Sequence, residues 1–270
     1  MGAGERPEGT GVPAAFLKHD PASPTLGLAD SPMGYELQWS VLWGQPYRDW
    51  ILEGLFLTCQ ISLIAWAAGL AVGILVGMMA ESPWRPLEYF STGYIEVFRN
   101  IPLLVQLFFA YFVIPLLLPV HLRRPLYEIG WEWGSAVLTL SVYTSAKVTG
   151  HVRSGLNAVG MGIRQAALST GLSWWQMESR VVVPLVLRII VPNITSEFLT
   201  VFKSSSLAMA VGVVETTYMT QRIGFHTFRW IEANTVGTVV YLLLAWAVAM
   251  LMGLVERKVR VPGLLQRGQA

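Results

Sequence analysis

From Gly54 to Ala80 the chain carries no charged residue. A run of that length crosses the roughly 30 Å hydrocarbon core of a bilayer as a tilted helix. Nothing else in the sequence restricts the fold as severely, because such a run leaves a membrane span as the natural home for the segment. The rest of the chain agrees. Of its 270 residues 53% are hydrophobic and 13% charged, against about 25% charged in an ordinary soluble domain, and the mean hydropathy is +0.50. The apolar residues lie in long runs rather than at the spacing of a water-facing helix, so the pattern predicts an all-α membrane protein. A net charge of +2 is too small to point to nucleic acid. The single cysteine, Cys59, lies inside the first apolar run and reads as packing.

Five spans are predicted, at about 54–80, 89–118, 133–153, 185–214 and 233–255, within a transmembrane domain covering 54–257. Residues 1–34, rich in Gly, Pro and small polar side chains, are predicted to be a disordered tail and show no signal-peptide pattern. Residues 35–53 carry Tyr35, Trp39, Trp43, Tyr47 and Trp50, an aromatic cluster that suits a membrane interface and a short helix lying flat. Residues 258–270 form a C-terminal tail. In the first span Gly69, Gly73 and Gly77 recur every four residues and make a smooth face against which another helix can pack. Glu81 to Glu88 reads as a short turn, and the polar stretches Pro119 to Glu132 and Glu215 to Glu232 as connections.

Polar residues inside spans are costly and mark a protein interior or a wet path. The second span contains Glu96, Arg99, Asn100 and Gln106. Glu96 and Arg99, three apart, can pair with each other, and Pro102 can open the backbone. The third span turns polar at Tyr143, Lys147 and His151, spaced i, i+4, i+8. Lys147 fits both snorkelling to the interface and a place on a translocation path. In the fourth span Asn193, Glu197, Thr200 and Ser204 make one stripe, with Lys203 alongside. Interhelical hydrogen bonding accounts for Asn193 and Thr200. Glu197 and Lys203 lie six residues apart, off a common face, and fit a path. Ser204-Ser205-Ser206 and Gly212 suggest a segment where the helix can loosen.

Between the third and fourth spans, Arg164 to Pro184 is polar and helix-forming. Gln165, Ala166 and Ala167 are followed by a break at Gly171. Trp174, Met177, Val181 and Leu185 then recur at helical spacing, with Trp175 beside them. The pattern reads as two short helices with a bend, the second giving way to the span at Pro184. It fits equally a piece that holds a partner and an amphipathic loop on the membrane surface. Basic residues crowd the short loop containing Arg153, Arg164 and Arg180 and the tail containing Arg257, Lys258 and Arg260. That places the C-terminus and this loop in the cytoplasm and the N-terminus outside.

The chain has no G-x-x-x-x-G-K-[ST], no H-E-x-x-H and no G-x-S-x-G, so no P-loop, zinc-protease or hydrolase motif is present. The four histidines lack metal-ligand spacing. Lys203 with Ser204 to Ser206 supplies the residue types of a Ser-Lys hydrolase, but neighbours on one helix point in different directions. A non-transport scaffold has no need of the polar stripe in the fourth span.

The order Gln165-Ala-Ala, three residues, Gly171, twelve residues, Pro184 resembles the EAA loop of permease subunits in bacterial ABC importers, with Gln165 where the family usually has Glu. Glu96-Val-Phe-Arg-Asn-Ile-Pro-Leu-Leu-Val-Gln106 resembles a segment of polar amino-acid permeases. Thr195-Ser-Glu-Phe-Leu-Thr-Val-Phe-Lys203, Val113-Ile-Pro115 and Leu254-Val-Glu-Arg-Lys-Val-Arg-Val-Pro-Gly263 look like the glutamate/aspartate import permeases. The resemblance covers about Leu55 to Gly263. It implies a MetI-like type I importer fold in the bacterial inner membrane, with 160–184 as a cytoplasmic coupling loop and 35–53 on the periplasmic side. It implies ATPase coupling through Gln165, Ala166, Ala167, Gly171, Trp174 and Trp175. It implies as partners an ATPase dimer that binds ATP and Mg, a second homologous permease, a periplasmic amino-acid-binding protein and membrane lipid. The chain itself would hold no cofactor and do no covalent chemistry. An anionic substrate needs compensating positive charge in the membrane, so Arg99, Asn100, Lys147, Glu197, Lys203 and Ser204 are the candidate path residues. Glutamine or a basic amino acid is the alternative substrate.

Overall fold

Helix packing in this protein follows from where glycine lets two backbones meet. A computed structural model describes residues 35–82, 84–128 and 130–259. The main compact unit begins at Trp39. In chain order it comprises α1 (Ser40–Trp43), α2 (Tyr47–Met79), α3 (Arg85–Asn100), α4 (Leu103–Phe108), a π turn (Phe109–Val113), α5 (Ile114–Leu117), α6 (Val120–Glu128), α7 (Trp131–Ala158), α8 (Met161–Ser169), α9 (Trp174–Met177), a second π turn (Glu178–Val182), α10 (Val183–Ser204), a 3-10 turn (Ser205–Val211), α11 (Thr216–Thr227) and α12 (Trp230–Val259). No strand occurs among the described residues.

The glycine face of α2 meets α7 along much of its length. A Cβ at Gly69, Gly73 or Gly77 would fall 2.8, 2.6 and 2.6 Å from the Cβ atoms of Thr144, Val148 and Val152, too close for any side chain. Thr149 Oγ1 donates to Gly73 O at 3.2 Å across the same seam. Dispersion and such interhelical hydrogen bonds hold helices together where lipid removes the hydrophobic drive. α7 is the central helix. One core gathers Ile61, Leu103, Leu107, Ala136, Leu140 and Val201 around its first half. A second gathers Val148, Val152, Met177, Val182, Val186 and Ile190 around its second half.

Three helical stretches are long and apolar enough to cross a membrane: Tyr47–Met79, Trp174–Val211 and Trp230–Lys258. The pair Arg85–Asn100 and Leu103–Leu117 adds a fourth if counted as one span, bent by 101°. The predicted third span corresponds to α7, which does not belong to this apolar set. Its Glu132, Lys147, Arg153 and many Ser and Thr residues make it polar, and its burial among α2, α3 and α10 gives those groups protein partners.

Several predicted boundaries move. α2 starts at Tyr47, seven residues before the predicted span. The flat interfacial helix reduces to α1, whose Leu42 is buried against Ile223 of α11 and Ala233 of α12. The stretch read as a connection at Pro119 to Glu132 contains α6, and that at Glu215 to Glu232 contains α11. The fourth span does not begin after Pro184: the helix runs on from Trp174. The π turn makes this possible, since the Val183 N–H reaches back five residues to Glu178 O, and the wider turn accommodates the ring that follows. The same device precedes Pro115, where the Ile114 N–H bonds Phe109 O. There the carbonyl that Pro115 cannot serve, Tyr111 O, accepts from Trp131 Nε1 at 3.1 Å. The serines after Lys203 do change the helix, to a 3-10 turn that stops at Gly212. The predicted disorder of 1–34 and all but the start of the 258–270 tail lie outside the described residues.

α11 is fastened by Glu215, which is fully buried. Its carboxylate caps the helix by accepting from the Thr217 N–H at 2.9 Å and the Tyr218 N–H at 3.0 Å. Tyr241 Oη of α12 donates to it at 2.6 Å and Thr58 Oγ1 of α2 at 3.4 Å. Burial pushes this carboxyl above its ordinary value, and the tyrosine hydroxyl and backbone N–H donors oppose that shift without reversing it.

Candidate functional site

The polar centre forms where the broken second span approaches α7 and α10. Pro102 has no N–H for the carbonyl of Phe98 and its ring crowds the preceding turn, so α3 ends at Asn100 and Ile101 is extended (φ −85°, ψ 128°). Gln106 repairs the break. Its Nε2 donates to Phe98 O and to Ile101 O, each at 2.8 Å. The last turn of α3 therefore stops at this corner and carries Arg99 and Asn100, both exposed, at its tip.

Glu96 and Arg99 do not pair. Glu96 Oε2 instead accepts from Asn100 Nδ2 at 3.2 Å, because i+4 on the same helix is an equally good neighbour. Arg99 lies against α7 at Gly150, where a Cβ would come within 2.9 Å of its Nη1. Among the described residues Arg99 forms no ion pair. One position and one turn away on α7 are His151 and Lys147. Lys147 Nζ sits 3.1 Å from Glu197 Oε2 of α10 and 4.8 Å over the Tyr143 ring, and His151 Nε2 is 3.3 Å from Glu197 Oε1. Lys147 thus turns to a neighbouring helix rather than snorkelling. The Glu197 side chain keeps 14% of its surface exposed, so the group is half-wet. It holds Lys147, Glu197 and His151, while Arg99 and Glu96 stand at the end of α3.

Of the six path residues read from the sequence, Lys147 and Glu197 pair with each other, Arg99 lies against Gly150, three residues along α7 from Lys147, and Asn100 is next to Arg99 at the end of α3. Lys203 lies apart, exposed on α10. Ser204 borders a narrow space beside Leu103, Leu107 and Ala136. Gly150 and His151 complete the group and were not singled out as path residues. The stripe Tyr143, Lys147, His151 carried the signal for His151. Nothing local marks Gly150.

At one end of the bundle the polar loop folds into the short α8 and, after a bend, α9, which runs on into α10 instead of ending at Pro184. Gly171 takes φ +86° between them, a conformation that favours glycine. Ser173 and Gln176 form a capping box, with Gln176 N donating to Ser173 Oγ at 3.3 Å and Ser173 N to Gln176 Oε1 at 3.0 Å. Ala167 and Met177 point inward and are buried, while Gln165 and Ala166 are exposed. Trp174 and Trp175 are 56% and 76% exposed, with their rings edge to face at 5.0 Å. Arg164 ties the piece to the body through Glu178 at 3.1 Å and Glu81, just past α2, at 3.5 Å. The two exposed indoles form an apolar patch on a braced turn.

The family model for the binding-protein-dependent transport system inner membrane component matches residues 69–261. The chain is 34% identical to the glutamate/aspartate import permease protein GltJ of Escherichia coli (strain K12), across 85% of this chain and 95% of GltJ. It is 29% identical to the arginine transport system permease protein ArtQ of Bacillus subtilis (strain 168), across 80% of this chain and 94% of ArtQ. Among solved structures, that of an amino acid ABC transporter with histidines resembles it with a TM-score of 0.71 and 25% identity, covering 83% of this chain and 100% of that one.

Proposed function

Since this chain belongs to the family of binding-protein-dependent transport system inner membrane components, we propose that it is the permease subunit of an ATP-driven importer for the acidic amino acids glutamate and aspartate. Such a subunit is a transporter component and not an enzyme: it forms a path and leaves ATP and Mg to a partner ATPase. One observation carries the substrate reading. Lys147 is paired with Glu197 and Glu96 accepts from Asn100, while Arg99, against Gly150 of α7, makes no ion pair among the described residues. A zwitterion presents one charge of each sign, and an acidic amino acid adds one negative charge. An unpaired cation complements that extra charge, and the surplus carboxylate falls to Arg99, whose fork suits bidentate contact. Asn100 sits beside it, and Lys203 adds a further positive charge along α10.

The path would open by alternating access. Trp174, Trp175 and the Gln165-Ala166-Ala167 helix would dock on the ATPase in the cytoplasm, and Gly171 would hold the turn between them. Closure of two ATPases on ATP would move α8 and α9, and with them α10, whose helix is continuous with α9. Glu197 rides on α10 and its partners on α7, so relative motion of these helices would exchange the Lys147–Glu197 pair for contacts to substrate. A second homologous permease would complete the path, and a soluble binding protein would deliver substrate to the opposite face. The N-terminus would then lie outside and the C-terminus in the cytoplasm.

The likeness to an arginine permease supports a second reading, in which Glu197 receives a basic or neutral amino acid once Lys147 has moved away. The test is ATP-driven uptake of labelled glutamate, aspartate, glutamine and arginine by proteoliposomes holding this chain with its permease partner, ATPase and binding protein. Accumulation of glutamate and aspartate is expected. Accumulation of arginine or glutamine in their place would overturn the acidic reading and leave the importer reading standing.

A further inference from the structure

The loop of α8 and α9 is fastened to the rest of the bundle by apolar packing and by charge. Ala167, Met177 and Val182 join the second core with Val152, Val186 and Ile190. The polar fastening is the Arg164 guanidinium on α8, which forks between two carboxylates. Its Nη1 lies 3.1 Å from Glu178 Oε1, in the second π turn, and its Nη2 3.5 Å from Glu81 Oε2. The two partners belong to different parts of the molecule. Glu178 is in the same loop as Arg164. Glu81 stands one turn past Gly77, where α2 meets Val152 of α7 with no room for a Cβ, and its N–H bonds Met78 O at 3.3 Å. Glu81 is therefore carried by the α2–α7 seam.

The two pairs are unequal. The Glu178 side chain is 17% exposed and held at the shorter distance, whereas Glu81 is 34% exposed and held at the longer one. Water screens the second pair more, so it is the easier of the two to open. The packing beside it is incomplete. A cavity of about 330 Å³ lies between Ile74 of α2, Leu156 of α7 and Leu187 of α10, and it reaches Glu81, Arg164 and Glu178. Side chains that face a void forfeit dispersion on that side. Close packing therefore does not fix the start of α10 against the end of α2, and the space leaves it room to shift.

We propose that the Glu81–Arg164 pair is a detachable tether that holds this loop against the end of α2, with Arg164 as the positioning residue. Arg164 keeps Glu178 as the loop moves and lets go of Glu81. The inference rests on the importer reading, in which the loop takes its push from the ATPase subunits. A contact made in only one of two arrangements weights the balance towards that arrangement. The tether thus opposes closure of the ATPases while no substrate is present, and its loss raises hydrolysis that moves nothing.

The test uses the assembled importer in proteoliposomes, with ATP hydrolysis and uptake measured together. Uptake is read with whichever amino acid the wild type accumulates, so the outcome does not depend on the acidic-substrate reading. Glu81→Gln is expected to raise hydrolysis in the absence of amino acid and binding protein about threefold. It should lower the amount imported per ATP by a similar factor and leave the melting temperature unchanged. Glu178→Gln breaks the pair inside the loop and should lower hydrolysis and uptake together, with their ratio near wild type. If Glu81→Gln does not assemble, Arg164→Lys carries the test: a single ammonium held by Glu178 cannot fork to Glu81, and the same rise is expected. Basal hydrolysis and import per ATP within about 1.5-fold of wild type overturn the tether and leave the importer reading intact. Parallel losses of hydrolysis and uptake in Glu81→Gln, with a lowered melting temperature, make Glu81 a structural contact and also overturn it. A wild type that takes up no amino acid with ATP refutes the importer reading and the tether with it.

Discussion

Glu197 and Glu215 are carboxylates that each join helices, and they are built in opposite ways. Glu215 is wholly enclosed and held by neutral donors: two backbone N–H groups, a tyrosine and a threonine. None of these donors can leave without stranding a buried charge, which costs far more than any one hydrogen bond returns. Glu197 is partly exposed and held by a lysine and a histidine from one helix. Its partners are themselves charged or chargeable and within reach of water, so either can be traded for a substrate group of like charge. The first arrangement fixes α11 in place, and the second suits a contact that breaks in each cycle. The same residue type thus serves as a bolt at one level and a latch at another, and the identity of the donors decides which.

Four substitutions probe that contrast. Glu215→Ala should have the largest effect, lowering stability by about 3 kcal/mol through the lost helix cap and stranded donors. Thermal unfolding of the purified complex reads it, and the folded fraction should still transport. Arg99→Gln should leave the melting temperature within a degree or two but cut glutamate uptake about tenfold, as for the loss of one part-exposed charge contact to substrate. Glu197→Gln should split the kinetic constants. The freed Lys147 would hold an anionic substrate more tightly, lowering KM while the maximal rate falls about tenfold. A destabilised Glu197→Gln with unaltered kinetics would make Glu197 a second bolt and end the distinction. Gly150→Ala has the smallest expected effect, a rise of about threefold in KM. The new methyl displaces only the flexible end of Arg99, so stability should hold.

Much of the scaffold was legible because its signals are local. Absence of charge marked the first and fifth spans, spacing marked the glycine face of α2, and Pro102 and Gly171 marked real breaks in the backbone. The less legible parts depend on neighbours. α7 is found where a span is predicted, but its place as the central helix is not marked locally, and its polar residues are tolerable because other helices surround them. α11 looked like a connection because the capping and anchoring of its start come from Glu215, Tyr241 and Thr58, which meet only in three dimensions. Pro184 looked like an end because a π turn leaves no mark on residue spacing.

The site divides the same way. Arg99, Lys147 and Glu197 stood out as charges inside spans, which any hydropathy reading exposes. The Glu96–Arg99 pair was a fair expectation from spacing, but Asn100 competes for Glu96 and α7 offers Arg99 a place to lie. His151 needed a partner 46 residues away to show its position. Gly150 is informative only through what it leaves room for.

Gln106 has a consequence for transport. A single amide that grips the carbonyls of both Phe98 and Ile101 acts as a bracket across the Pro102 corner. It spends both of its donors there, and its own oxygen is buried without a hydrogen bond among the described residues. A corner braced in this way keeps its angle while the helices around it slide. On the proposed path Arg99 would then be mounted on a fixed shelf, and the α10 side would be the jaw that moves over a passenger.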